Sequence, residues 1–393
     1  MRFLHTSDWH LGRRLYEASL AADQSHVLDQ IFTMCRDERV DALVIAGDLF
    51  DRAVPPVEAV SLLGDFFERV ASDLAIPVIA ISGNHDSPDR LGFGAGVLAR
   101  GRVHLLTSFG RRASPVVVER GKRKLHIYGL PFLEPEVARA GLEDDSLTTH
   151  QAAVAAALGA VARDRAARGA AEAVLVGHLM ASGGRESPDS ERPLVVGGAA
   201  QVGVDVLAQG RWSYVALGHL HAAQLVGDRP DIRYSGSPLA TTFGEAGYAK
   251  SASLVEIVCG RAAVRDLPLA PLRPLAKIRG RFEELLASPV FAAAEGAYVH
   301  ASYTDGYVLD STARLRRRFP NLLQALPAEL DAATVTRLGG HLEAVRQHDE
   351  GQLLEGFWEH VEGEAAAPEI AAEFARVVAR VRARSREACA LAS

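Results

Sequence analysis

Five short apolar runs of this chain each end in side chains able to hold a cation or move a proton. Asp8 and His10 follow the first, in Ser7-Asp-Trp-His-Leu-Gly12. Asp48 and Asp51 close the second, in Gly47-Asp-Leu-Phe-Asp51, and Asn84, His85 and Asp86 close the third. His178 stands after the fourth, and His219 with His221 after another. Carboxylate, imidazole and amide donors without thiolate suit a harder or borderline divalent cation such as manganese better than a structural zinc. Glycines ahead of these groups permit close backbone approach. On an extended segment, residues two apart point to one side, which would aim Asp8 with His10, and His219 with His221, at a common centre.

Each cluster alone has an ordinary alternative. A strand-end Asp caps turns and helices, and a lone Gly-His is commonly a core or turn histidine. The ordered set DxH, GDxxD, GNHD, GH and GHxH is what those roles do not explain. His5, His26, His104, His126 and His150 lack such partners and read as structural or surface groups, as do His300, His341, His348 and His360.

The apolar runs that must position these groups are Arg2–Thr6, Ala42–Ala46, Val78–Ile81, Val116–Val118, Leu125–Tyr128, Ala173–Val176, Tyr214–Leu217, Ile232–Tyr234 and Ser253–Val258. Continuous runs of this length suit strands buried on both faces. Helical stretches such as Gln24–Glu38 and Glu58–Leu74 alternate with them, which predicts an α/β layered domain over residues 1–270. Such folds collect ligands beyond the carboxyl ends of their strands. The Pro-rich stretch Leu267 to Pro274 reads as a boundary. A small α+β domain is predicted over 271–340, with a run near Ala276–Phe282, a strand at Tyr298–Tyr303, and a helix near Ser311–Phe319 and Asn321–Leu326. Residues 341–393 read as helices, with Leu353, Leu354, Phe357, Trp358 and Val361 on one face.

A formal net charge of −6 over 393 residues argues against binding nucleic acid by bulk positive charge, leaving local arginines and bound cations to set the field. Cys35, Cys259 and Cys389 lie far apart, so a disulfide framework is not expected and a reducing compartment fits. The opening segment has no apolar leader core, and the longest apolar runs fall far short of the ~20 residues of a membrane span. A soluble, cytoplasmic protein with no membrane partner is the expectation.

The ordered motif set resembles the calcineurin-like metallophosphoesterases, which implies a four-layer αββα sandwich, two β-sheets flanked by helices. The resemblance implies that Asp8, His10, Asp48 and His221 hold one metal, and that Asp48, Asn84, His178 and His219 hold the second, with Asp48 as the bridge. Two such ions roughly 3.5–4 Å apart clamp a phosphodiester and activate a water for in-line attack. It further implies that His85 protonates the leaving oxygen or stabilises transition-state charge, with Asp51 as its carboxylate partner. Arg52 is a candidate phosphate contact.

Within that family the opening Arg2 to Gly12, the Gly47 to Asp51 motif and Tyr234-Ser-Gly-Ser-Pro238 closely resemble the SbcD-type nucleases, subunits of SbcCD complexes in DNA repair. This implies manganese-dependent 3′ to 5′ exonuclease and hairpin endonuclease activity on double-stranded DNA. It also implies ATP dependence supplied by an SbcC-type coiled-coil ATPase, since no GxxxxGK[ST] occurs in the chain. A homodimer within a heterotetramer, associated with the nucleoid when on DNA, belongs to the same expectation, with the C-terminal helices docking on the ATPase or packing on this chain's own core. Arg314, Arg316, Arg317 and Arg318 are candidate DNA phosphate contacts. Two alternatives stand beside it: a lone metallophosphodiesterase for a small nucleotide or lipid, and a binding protein with a vestigial site.

Overall fold

Runs of Val, Ile, Leu and Ala pair into two six-stranded mixed sheets in the computed structural model. The structure describes residues 1–109, 113–185, 187, 201–306, 308–328, 354, 358 and 366–377. In chain order the strands are β1 (Arg2–Thr6), β2 (Ala42–Ala46), β3 (Val78–Ile81), β4 (Val103–Leu106), β5 (Val116–Arg120) and β6 (Arg123–Leu130). They continue as β7 (Ala173–His178), β8 (Tyr214–Gly218), β9 (Gln224–Val226), β10 (Arg229–Tyr234), β11 (Lys250–Val258) and β12 (Arg261–Leu269). The first sheet runs β12-β11-β1-β2-β3-β4, with β1 to β4 mutually parallel. The second runs β9-β10-β8-β7-β6-β5, parallel from β10 to β6 and antiparallel at both edges.

Side chains alternate across each strand, so both faces of the central strands must find apolar cover. On β2, Leu43 and Ile45 pack beneath α1 (Ala21–Asp37) and α2 (Val57–Arg69), together with Ile31, Leu63 and Phe66. Its other face, Ala42, Val44 and Ala46, meets Ile127, Val174, Val176 and Ala216 of the second sheet. On β7, Leu175 packs with Ala153, Ala157 and Val161 of α4 (His150–Arg168), which follows α3 (Pro135–Leu142). The layers are therefore helix, sheet, sheet, helix, as the family resemblance implies.

The edge strands β4, β9 and β12 are absent from the continuous apolar runs for a physical reason. β12 alternates buried Leu267 and Leu269 with exposed neighbours, the pattern of a strand with one face in water. Another expectation is corrected. Leu322–Pro327, read with the preceding helix, is a strand, and with Leu275–Gly280 and Tyr298–Tyr303 it forms a three-stranded sheet. The run Leu-Leu-Gln-Ala-Leu has good helix propensity, but strand pairing overrides it.

By compactness the chain divides into two units. The first is Met1–Ile278, Glu283–Ala301 and Asp310–Ala325, and it holds both large sheets and most of the three-stranded one. Its Pro-rich stretch is pinned to α1, where Asp23 accepts from the Arg273 guanidinium (2.9 Å), the Arg273 amide (3.1 Å) and the Tyr298 hydroxyl (3.0 Å). The second unit comprises Arg279–Phe282, Ser302–Leu309 and Leu326–Ser393. In it the Phe282 and Tyr303 rings meet edge to face, and residues 368–377 are helical. Of the expected C-terminal helices, residues 341–353, 355–357, 359–365 and 378–393 lie outside the described residues, as do His341, His348 and His360.

Candidate metal centre

The parallel registers bring the polar strand ends together. Thr6 of β1 lies beside Ile45 of β2, Ala46 beside Ile81 of β3, and His178 of β7 beside Gly218 of β8. The loops after these strands close into one buried cluster. Asp8, His10 and His221 place ligand atoms within 4.8 Å of one another, and so do Asp8, Asp48 and His178. Asn84 joins through its Oδ1, 2.9 Å from His178 Nε2 and 3.2 Å from His219 Nδ1. All seven expected ligands thus converge.

The local reason differs from the expected one. The DxH and GHxH segments are not extended: φ is 55° at Asp8, 45° at His10 and 110° at His219. His221 Nε2 lies 3.1 Å from His10 Nε2, whereas His219 turns to Asn84. The two histidines of GHxH therefore serve opposite ends of the cluster. Asp48, at φ 50°, is left-handed as well. The glycines allow contacts that no side chain would. A Cβ on Gly83 would lie 2.1 Å from Asp48 Oδ1, and one on Gly47 2.3 Å from His178 Nδ1.

Hydrogen bonds behind the ring nitrogens show what the cluster is built to hold. His178 Nδ1–H donates to the Ala46 carbonyl (2.8 Å), which leaves its Nε2 lone pair facing Asn84 Oδ1 and, at 3.5 Å, Asp48 Oδ2. His221 Nδ1–H donates to Glu245 Oε1 (3.1 Å), which turns its Nε2 lone pair toward the His10 ring. His10 Nε2 is itself 3.8 Å from Asp48 Oδ2. Lone pairs of oxygen and nitrogen thus face one another across short distances. Divalent cations supply the positive charge such an array needs, and the outward N–H bonds fix the tautomers as they do behind metal-bound imidazoles. The donor set fits two such ions.

The surrounding network includes residues that the motif spacing leaves without a role. Buried Asp86 accepts from the amides of Leu49 (3.1 Å), Phe50 (2.9 Å) and Gly83 (2.9 Å), stitching the Asp48 loop to the Asn84 loop. Burial pushes its carboxyl up to about 6 against those donors. Gln24 on α1 holds the His10 carbonyl (2.7 Å). Glu245 and Lys250, fully or nearly buried, form an ion pair behind His221. Burial raises the Glu245 carboxyl, but the His221 hydrogen bond and the Lys250 charge outweigh it and hold the group well below the carboxylate range. Asp86 is visible in the GNHD motif, whereas no spacing signal marks Glu245.

His85 donates its main-chain N–H to Asp48 Oδ1 (2.8 Å) and stands edge-on to His10, with ring centres 4.7 Å apart. Its Nδ1 meets the main-chain carbonyl of Asp51 (2.8 Å), and ligand atoms of His10, Asp51 and His85 lie within 4.8 Å of one another. The Asp51 carboxylate takes a hydrogen bond from Arg13 (3.1 Å) and lies 3.8 Å from His10 Nδ1. Arg52 is exposed in the loop that follows. Away from the centre, Arg318 donates to Glu295 (3.0 Å) and to the carbonyls of Leu285 (3.0 Å) and Ser288 (2.7 Å), so its guanidinium braces its own segment. Arg314 pairs with Glu283 (2.7 Å) and Arg316 reaches the Leu322 carbonyl, while Arg317 is exposed.

Burial dominates the histidine acidities. His219 and His5 are each pushed down to about 3, and His10 and His178 lie well below the usual value, with neighbouring rings adding to the burial at His10, His178 and His219. His5 sits between the sheets on the Tyr214 hydroxyl (3.1 Å), a structural role. A folded-state pKa lowered below the unfolded ~6.5 means that the unfolded chain binds the extra protons. The four histidines therefore favour folding above about pH 6.5 and withdraw that contribution as pH falls toward 3. Asp86, raised, acts in the opposite sense and loses its contribution as pH rises through about 6, but it is one group against four. The melting temperature of chelator-treated protein is expected to fall steadily from pH 7 to pH 5. A flat profile over that range would contradict the neutral histidines.

The fold and this centre define a class, and comparison with known proteins agrees. The chain belongs to the calcineurin-like phosphoesterase family, whose model matches residues 1–223. It is a metal-dependent phosphoesterase. It is similar to TT1561 of Thermus thermophilus, at 15% identity and a TM-score of 0.38, over 67% of this chain and 98% of that one. It is also similar to the calcineurin-like phosphoesterase YfkN from Bacillus subtilis, at 12% identity and a TM-score of 0.35, over 68% of this chain and 88% of that one. Among the described residues no helix is long and apolar enough to cross a membrane.

Proposed function

We propose that this phosphoesterase is a DNA-end nuclease of the SbcD type. In this reading it degrades duplex ends from 3′ to 5′ and opens hairpins, with manganese as its metal and an SbcC-type coiled-coil ATPase as its partner. The observation that carries the reading is the placement of the Tyr234 to Pro238 motif, which joins the opening motif behind the metal centre. Ser235 Oγ meets Ser7 Oγ (2.9 Å), Tyr234 Oη donates to the Leu179 carbonyl (2.9 Å), and Ser237 Oγ accepts from Lys250 (2.8 Å). The stretches that carry the resemblance thus form one unit of support for the centre.

Asp8, His10, Asp48 and His221 would hold one cation, and Asp48, Asn84, His178 and His219 the other. Bound there, the ions would neutralise phosphate charge and supply a nucleophile at neutral pH. His85 lies at the rim of the centre, and with Nδ1–H fixed on the Asp51 carbonyl its Nε2 carries the proton given to the leaving oxygen. Arg52, Arg316 and Arg317 are exposed, which supports a contact with backbone phosphates in this reading. Residues 1–270 are the nuclease domain in this scheme, 271–340 the capping domain and 341–393 the ATPase-docking segment.

The homodimer belongs to the same scheme. Its support is an apolar groove of about 670 Å³ between α2 and the turns after β3, beside which Val57 is 82% and Phe93 87% exposed. The test is a manganese-dependent assay on blunt and hairpin duplexes, with and without an SbcC-type ATPase, beside bis-p-nitrophenyl phosphate. Duplex degradation stimulated by the ATPase and ATP is expected, from a preparation that sediments as a dimer. Turnover of the small diester with no attack on duplex DNA under any condition would instead support a lone small-molecule phosphodiesterase.

A further inference from the structure

The two cation positions have different surroundings, and one buried residue pair makes the difference. Glu245 sits in the short turn Phe243–Glu245 with none of its surface exposed. Its Oε1 accepts from His221 Nδ1–H (3.1 Å), from the Thr241 amide (3.3 Å) and from the Thr241 hydroxyl (3.0 Å). Its Oε2 meets the Lys250 ammonium, and Lys250 also donates to the His221 main-chain carbonyl (3.1 Å) and to Ser237 Oγ (2.8 Å). The pair therefore grips His221 at both ring and backbone.

At the other position the one outward hydrogen bond among the described residues, behind His178, goes to a neutral group. His178 leans on the neutral Ala46 carbonyl at 2.8 Å, and His219 Nδ1 faces Asn84, an assigned ligand of the same cation. A carboxylate behind an imidazole fixes its tautomer and raises its strength as a donor, and loss of such a partner costs roughly 10–100-fold in metal affinity.

From this we infer that Glu245, braced by Lys250, is a positioning residue that makes the cation position of Asp8, His10, Asp48 and His221 the stronger of the two. The inference rests on the ligand assignment proposed above. Removing one member of a buried ion pair strands the other, whereas removing both together is often close to neutral for the fold. The test therefore uses Glu245→Gln and the double variant Glu245→Gln/Lys250→Met in the full chain. Manganese alone is titrated, followed by electron paramagnetic resonance, with thermal unfolding recorded alongside.

The native chain is expected to take up two manganese ions in two affinity classes. The double variant should unfold cooperatively, bind the tighter ion roughly 10–100-fold more weakly and change the other less than about twofold. Two native affinities in both variants would overturn the inference and leave the ligand assignment standing. Equal weakening of both ions, or loss of cooperative unfolding in both variants, would also overturn it, making the pair a support of the fold as a whole. A native chain that takes up no manganese would overturn the ligand assignment and the inference together.

Discussion

Asp48→Asn is expected to abolish turnover and to weaken manganese binding by at least roughly 100-fold, while the protein keeps its fold. The carboxylate stands between the two halves of the centre. Its Oδ2 lies 3.5 Å from His178 Nε2 and 3.8 Å from His10 Nε2, and its Oδ1 takes the His85 amide at 2.8 Å. The amide has the same shape and keeps an oxygen for His85, so packing changes little. It removes the charge shared by both cation positions and presents an N–H to nitrogens whose lone pairs should face a metal. Calorimetric titration with manganese and a phosphodiesterase assay check the two halves of this expectation. Uptake of two ions at native affinity would exclude Asp48 as the bridge.

His85→Ala should separate the two properties that Asp48→Asn removes together. The His85 ring touches the centre from one side and is not among the assigned ligands, so manganese affinity should change less than about twofold. Turnover should fall by roughly 10²–10⁴, the usual range for loss of a positioned proton donor. The fall should be largest for substrates with a poor leaving group such as a sugar alkoxide and smaller for p-nitrophenyl esters, whose leaving oxygen needs little protonation. Equal losses on both substrate types would argue against proton donation by His85, and native rates would remove its role altogether. The geometry also ranks Asp51→Asn as the milder change, because the main-chain carbonyl that holds His85 remains.

Much of the architecture is legible in the sequence because burial on both faces leaves β2, β3, β7 and β8 as unbroken apolar runs. The polar groups after those runs stand out against them, which is why the clustering of Asp8, Asp48, Asn84 and His178 is legible without coordinates. The reason for their convergence is less legible. Alternation along an extended strand predicts paired aim for His219 and His221, yet the backbone leaves the extended region and sends the two rings to different ends of the centre. Glu245 and Lys250 are invisible for a related reason. They reach His221 from a turn and from the start of β11, and no periodicity connects those positions to a histidine in an earlier loop. Asp51 shows the limit from the other side, since the motif points to the right neighbour while the 2.8 Å contact to His85 Nδ1 comes from its main-chain carbonyl. Leu322–Pro327 completes the pattern, because its helix-forming residues become a strand where neighbouring strands supply the hydrogen bonds.

The left-handed and positive-φ backbone at Asp8, His10, Asp48 and His219 bears on how the protein can change over generations. Each non-glycine residue held there costs roughly 1–3 kcal/mol, and the four together approach the ~5–15 kcal/mol by which a typical domain stays folded. Selection for thermal robustness alone would find its easiest gains in these positions, since glycine or asparagine relaxes the backbone. Each such gain would remove or weaken a ligand. Stability and catalysis therefore pull on the same four residues in opposite directions, and the three apolar cores must carry a surplus for the chain to keep both.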